Sequence, residues 1–205
     1  PFIGNLNISI SIQKILINII GTAINCSNIA DYFDEEELIP MIFHQFYSLS
    51  GMLFNPEDPL SISDVDLFED LCASFSKSET FVEYLINNTE ELCSNLSTVP
   101  SVLLSFGYLI EFRNQYITDQ LNYIVEIICK FINNRSKLIR DSIAFLILKL
   151  CDEYNGEIDE YFEILSKSIF LSFSIEISQD MILALTHLFK ASNNTDFIFE
   201  EAYNF

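Results

Sequence analysis

The chain has 205 residues, half of them hydrophobic, with only five Gly and five Pro; this excludes a disordered tail and fits closely packed helices joined by short turns. Ten basic against thirty acidic residues give a formal charge of −20, a field that repels nucleic-acid phosphates and anionic headgroups and attracts cations. Direct nucleic-acid binding is therefore not expected, and a basic protein or peptide is the natural partner, although a surface this acidic also serves solubility alone.

Taken in chain order, the apolar periodicity predicts helices at residues 8–26, 32–49, 63–76, 79–95, 98–113, 118–133, 136–154, 157–172, 175–191 and 194–205. Ser78 before Glu79, Thr118 before Asp119, and Ser136 mark starts, and Gly156 marks a stop. Pro100 fits the first turn of its helix, where a missing N–H is harmless. The longest apolar stretch, Ile8 to Ala30, is broken by Gln13, Lys14, Asn18 and Asn25, and Ile143 to Cys151 is far too short to span a bilayer, so no membrane insertion is expected.

Four of these helices share one register. From Asp64, Val102, Ile139 and Ile177, large apolar residues follow at offsets of 4, 7, 8 and 11, and the starts lie 38, 37 and 38 residues apart. The copies read Phe68, Leu71, Cys72, Phe75; Phe106, Leu109, Ile110, Arg113; Ile143, Leu146, Ile147, Leu150; and Met181, Ala184, Leu185, Leu188. Such offsets lie on one helical face, and a constant period identifies one repeated supersecondary unit.

The same pattern at Ile12, Leu16, Ile19, Ile20 and Ala23 precedes Asp64 by 52 residues. The excess falls in Gly51 to Ile62, around Asn55-Pro56-Glu57-Asp58-Pro59, which reads as an inserted surface loop.

The helices between the register copies carry stripes of their own: Leu38, Ile39, Ile42, Phe43, Phe46; Phe81, Tyr84, Leu85, Leu92; Leu121, Ile124, Val125, Ile128, Phe131; and Ile158, Phe162, Leu165, Ile169. A single helix pair cannot bury both stripes, so stacking must supply the core. The fold expected is all-α, a right-handed α-solenoid of antiparallel helix pairs in about five units, residues 1–205 forming one array. The apolar run Phe197, Ile198, Phe199, Tyr203 and Phe205 leads to the expectation that the chain is a piece of a longer array, since a terminal repeat replaces such residues with a polar cap.

Little in the chain suggests chemistry. His44 and His187 lie on different predicted helices without Asp, Glu or Cys at ligand spacing, and there is no Gly-rich phosphate loop. The five cysteines (Cys26, Cys72, Cys93, Cys129, Cys151) form no CxxC pair, and four fall in helical apolar patterns, predicting free thiols and a reducing compartment. No catalytic, cofactor-binding or metal-binding residue is expected, and no enzymatic activity. Six Asn-x-Ser/Thr sequons, at Asn7, Asn25, Asn87, Asn95, Asn134 and Asn193, are what an Asn- and Ser-rich chain produces by chance, and are expected to be unused.

Leu121 to Cys151 resembles a HEAT repeat: an apolar first helix (Ile124, Ile127, Ile128, Phe131), a short turn, then Ile139-Arg140 opening a second helix. The family's turn Asp is replaced by Asn134, so a neutral amide is expected to accept from Arg140. Ile139-Arg140-Asp141-Ser142-Ile143-Ala144-Phe145 is further similar to the Val-Arg-Asp-x-Ala-Ala-Trp type helix of importin-β-like (karyopherin-β) nuclear transport receptors, with Phe145 in place of Trp and Leu148-Lys149 in place of a Gly-Arg pair. Glu157 to Tyr161 is similar as well.

The resemblance implies a receptor shuttling between cytoplasm and nucleus with basic cargo, and Ran GTPase and Phe-Gly nucleoporins as further partners. It also implies that the register helices line a concave surface. Side chains there at offsets near 2, 6 and 9 include Asp66, Asp70, Tyr108, Glu111, Asp141 and Phe145, candidates for holding a Lys/Arg-bearing peptide between carboxylates and apolar anchors. Two alternatives stand beside this. Tyr108 and Phe145 pack between adjacent repeats, and the whole chain is a HEAT-type scaffold, such as a phosphatase scaffold, a vesicle-coat adaptor or another assembly platform.

Overall fold

The computed structural model describes residues 69–192 and, ahead of them, residues 12, 15, 16, 18, 19, 22, 23, 37, 39 and 40. Among the described residues every regular element is helical. Helical residues 69–74 lead into α1 (Glu79–Leu92), α2 (Val99–Glu111), α3 (Leu121–Phe131), α4 (Lys137–Glu153), α5 (Phe162–Phe173) and α6 (Gln179–Ala191). Short 3-10 turns, Thr118–Gln120 and Glu157–Glu160, precede α3 and α5.

Local chemistry sets the helix ends. Ser78 is extended and its Oγ accepts from the Phe81 N–H at 3.1 Å, while Ser178 does the same for Met181 at 3.2 Å. Each satisfies one of the N–H groups that a helix start leaves without a partner. Because Ser178 must be extended to cap, α6 begins at Gln179 and not at the predicted 175. Thr118 opens the 3-10 turn and makes no cap, so α3 starts only at Leu121. Ser136 also makes no side-chain cap; its N–H donates to Asn134 Oδ1 at 2.9 Å.

At the end of α2 the chain turns through Arg113, whose φ of 53° lies in the left-handed region. The Asn114 N–H reaches back to Leu109 O at 3.0 Å and the Arg113 N–H to Ile110 O at 2.9 Å, the paired closure of a Schellman motif, where Gly is the usual residue. Gly156 has a φ of 88°, and its N–H donates to Ala191 O at 3.2 Å, tying the turn after α4 to the end of α6.

The predicted register faces the core. Leu71, Cys72 and Phe75; Val102, Phe106, Leu109 and Ile110; Ile139, Ile143, Leu146, Ile147 and Leu150; and Met181, Ala184, Leu185 and Leu188 are all buried. Two register positions depart from it, for the reasons just given. Arg113 lies beyond the end of α2, and Ile177, 66% exposed, lies before the capped start of α6. In the first copy Ile12 and Ile19 are 50% and 58% exposed, so there the register does not point into a closed core among the described residues. Asp64, Phe68, Ile20, Cys26, His44, the loop at 51–62 and the predicted helix 194–205 lie outside the described residues.

α2 packs along α4, and α4 along α6; α3 contacts both α4 and α5, and α5 contacts α6. α2 is buried on all sides from Val99 to Ile110, and Gly107 lets Phe145 of α4 approach closely. Bonds between helices recur at about one repeat period. Asn114 Nδ2 donates to Ser76 O at 2.9 Å, Thr118 Oγ1 and Tyr154 Oη lie 3.0 Å apart, Cys129 Sγ and Ser168 Oγ 3.5 Å apart, and Ser192 Oγ donates to Asp159 Oδ1 at 2.6 Å. These partners are separated by 38, 36, 39 and 33 residues. Each fully buried Leu, Ile or Phe of this core contributes on the order of 1.5–3 kcal/mol.

Candidate functional site

The structure gathers three of the six candidate residues into one cluster where α2 meets α4. Tyr108 is only 4% exposed, and its ring centroid lies 5.0 Å from that of Phe145 at an interplanar angle of 54°. Phe145 covers Gly107, and the Lys149 ammonium sits 5.3 Å above the Phe145 ring while bonding Glu111 Oε1 at 2.5 Å. The aromatic pair thus packs between neighbouring helices, with a salt bridge closing its edge. Asp70 lies partly exposed on the helical residues 69–74, and Asp66 lies outside the described residues.

Asp141 is also engaged. Its Oδ2 accepts from Lys137 one turn earlier at 2.6 Å, and its Oδ1 is buried with no hydrogen-bond partner. Of the carboxylates of the expected strip, Glu111 and Asp141 therefore each already hold a lysine. Elsewhere Arg113 bonds Glu153 at 2.7 Å, and His187 Nδ1 lies 3.1 Å from Asp152 Oδ1.

Arg140 is 2% exposed. Its Nη1 donates to the main-chain carbonyls of Asn134 at 2.9 Å and Arg135 at 2.8 Å, and its Nη2 bonds Glu176 in the turn before α6. The acceptor at the Asn134 turn is thus the backbone, not the side-chain amide that the sequence suggests. Asn134 Oδ1 is occupied by the Ser136 N–H. Both terminal nitrogens of this buried guanidinium are thus bonded, which offsets the cost of its burial, whereas Nε is buried without a hydrogen-bond partner; the group links the turn before α4 to the turn before α6.

Carboxylates without a counter-ion among the described residues also lie on the intervening helices. Between α3 and α5 runs a groove of about 530 Å³ lined by Asn122, Val125, Glu126, Glu160, Tyr161, Glu163, Ile164 and Lys167. Val125 and the half-exposed Ile164 give it an apolar floor. Glu163 bonds Lys167 at 2.5 Å, whereas Glu126 and Glu160 are exposed and have no counter-ion among the described residues. Burial, and then the negative charge of Glu160, push the Tyr161 phenol up, so it stays a neutral donor. Sequence reasoning passed over this groove because it followed the register helices. The available signal was Asn122 and Glu126 one turn apart on α3, opposite Glu160, Glu163 and Lys167.

Cys72, Cys93, Cys129 and Cys151 are free thiols. Burial pushes Cys93 up to about 11 despite Lys130 nearby, Cys151 to about 12 and Cys72 higher still, the reverse of an activated thiolate. Among the described residues no group of His, Cys, Asp and Glu can hold a metal ion, and no helix is long and apolar enough to cross a membrane. Comparison with protein-family models, curated proteins and solved structures finds no match for this chain.

Proposed function

We propose that the chain is a protein-binding α-solenoid of HEAT-type helix pairs that holds a basic protein or peptide partner. The observation that carries the reading is the recurrence of inter-helix bonds at separations of 33–39 residues, as expected when each unit touches only its neighbours. The charge of −20 supplies the sign of the partner. The more specific version is a nuclear transport receptor of importin-β type, working between cytoplasm and nucleus with basic cargo, Ran GTPase and Phe-Gly nucleoporins. It rests on the resemblance of residues 121–161.

One observation favours the second reading, a scaffold or adaptor. Tyr108, Phe145, Glu111 and Asp141, the candidates for a cargo-holding strip, are engaged in packing and ion pairs within the chain. A register face used for stacking suits a platform whose partners bind elsewhere.

Fluorescence anisotropy tests the basic-partner reading. A labelled twelve-residue Lys/Leu peptide is expected to bind the purified chain and a Glu/Leu peptide of equal length is not, with binding weakening as salt rises, since exposed charges are screened beyond about 8–10 Å. Equal binding of both peptides, or of neither, overturns it.

A further inference from the structure

The chain has ten positive side chains, and among the described residues five of them are committed. Lys137, Lys149, Lys167, Arg113 and Arg140 each bond a carboxylate of the chain itself. On the register helices this leaves Glu111, Asp141 and Glu153 locally neutralised, whereas the wall of the α3–α5 groove carries Glu126, Glu160 and Glu163 against the single ammonium of Lys167. The groove is also apolar at its base, through Val125, Ile164 and the ring of Tyr161.

We infer that the α3–α5 groove is the seat of an extended Lys/Arg-bearing peptide, whose cations meet Glu126 and Glu160 and whose aliphatic side chains or stems rest on Val125 and Ile164. Three features select this occupant. On the groove wall Lys167 already sets one ammonium 2.5 Å from Glu163, one turn earlier on α5. The two remaining glutamates are exposed and lack counter-ions, so a cation gains attraction there without displacing an existing pair. The floor accepts methylene groups, and Lys and Arg bury their stems along apolar surface while the head stays in water. An acidic or purely apolar peptide satisfies only one of these features. The proposal rests on the basic-partner reading above and gives that partner a place, on the intervening helices and away from the register face.

The test uses the full chain and the same labelled Lys/Leu peptide. Glu126→Lys with Glu160→Lys reverses the groove charges; Glu83→Lys with Glu91→Lys reverses two exposed acids on α1 and alters net charge equally. The groove pair is expected to weaken binding about tenfold, because two exposed attractions become repulsions, and the α1 pair by less than about threefold. Ile164→Ser, at a half-exposed position that leaves the charge unchanged, is expected to weaken it about threefold, the loss of one partly buried aliphatic group. Circular dichroism melts confirm that all variants stay folded. Equal losses from the two charge pairs, or no loss from the groove pair, overturn the groove while leaving the basic-partner reading intact. Failure of the wild-type chain to bind the peptide overturns both.

Discussion

Phe145 of α4 occupies the space that Gly107 of α2 leaves open: a Cβ at Gly107 would lie 2.5 Å from Phe145 Cε1 and 2.9 Å from Cδ1. α2 and α4 therefore meet at a residue that must be small on one side and flat on the other. Gly107→Ala gains about 1 kcal/mol of helix propensity but forces the ring aside at a cost of about 1–3 kcal/mol. The expected outcome is a net destabilisation of about 1 kcal/mol, relieved when Phe145→Leu is added. Urea melts of the two single variants and the double variant check it. Strict additivity, or stabilisation by Gly107→Ala alone, shows that the contact is not tight.

Leu146 and Phe106 are fully buried register residues. Leu146→Ala and Phe106→Ala are each expected to cost about 2–5 kcal/mol, from lost burial together with an unfilled cavity. A change below about 0.5 kcal/mol in both denaturant midpoints, far under the usual range for core truncation, contradicts the register.

The Schellman closure of α2 places Arg113 in a left-handed conformation that costs a non-Gly residue about 1 kcal/mol. Its bond to Glu153 is made by an 81% exposed side chain and offsets little of that. Arg113→Gly is accordingly expected to raise stability by about 0.5–1 kcal/mol. A thermal midpoint lower than that of the wild type rules it out.

Arg140 and Glu176 form one pair with unequal stakes, because the guanidinium is buried and the carboxylate is about half exposed. Truncating Arg140 to Ala leaves the carbonyls of Asn134 and Arg135 without their donor, and is expected to cost about 2–4 kcal/mol. Glu176→Ala, with solvent at hand, is expected to cost under about 1 kcal/mol. The reverse order in chemical denaturation refutes the view that Arg140 serves mainly as a clamp on the turn.

Raised thiol pKa values make stability fall in alkali. From an ordinary value of 9.0, burial moves Cys93 to about 11 and Cys151 to about 12. The folded state therefore holds these protons more tightly, and its advantage is complete below pH 9 and lost progressively as pH rises from 9 through 11 and 12. Urea midpoints at pH 7, 9 and 10.5 are expected to decline above pH 9, less steeply in Cys151→Ala. An unchanged slope in that variant removes the thiol from the account.

Most of the helical framework was readable because its causes are local. A side chain's tendency to leave water and the 3.6-residue turn act together within a few residues, so Val102, Phe106, Leu109 and Ile110 announce a buried face before any neighbour is known. Ser78 could be read as a cap for the same reason, since donor and acceptor lie three residues apart. Ile177 was misplaced because the choice between continuing a helix and capping it at Ser178 depends on the backbone conformation of one residue.

The amino-acid sequence by itself determined the helical period, the core register and the sign of the surface charge. Only the tertiary structure decided which polar and aromatic side chains remain available to a partner. Tyr108 is covered by Phe145 and Glu111 is held by Lys149, residues that arrive from α4, 37 and 38 positions along the chain. The groove between α3 and α5 likewise exists only where these two helices, far apart in sequence, lie side by side. Burial propensity is a property of a side chain and its near neighbours, whereas neutralisation and groove formation are properties of a contact between distant ones, which local periodicity does not encode.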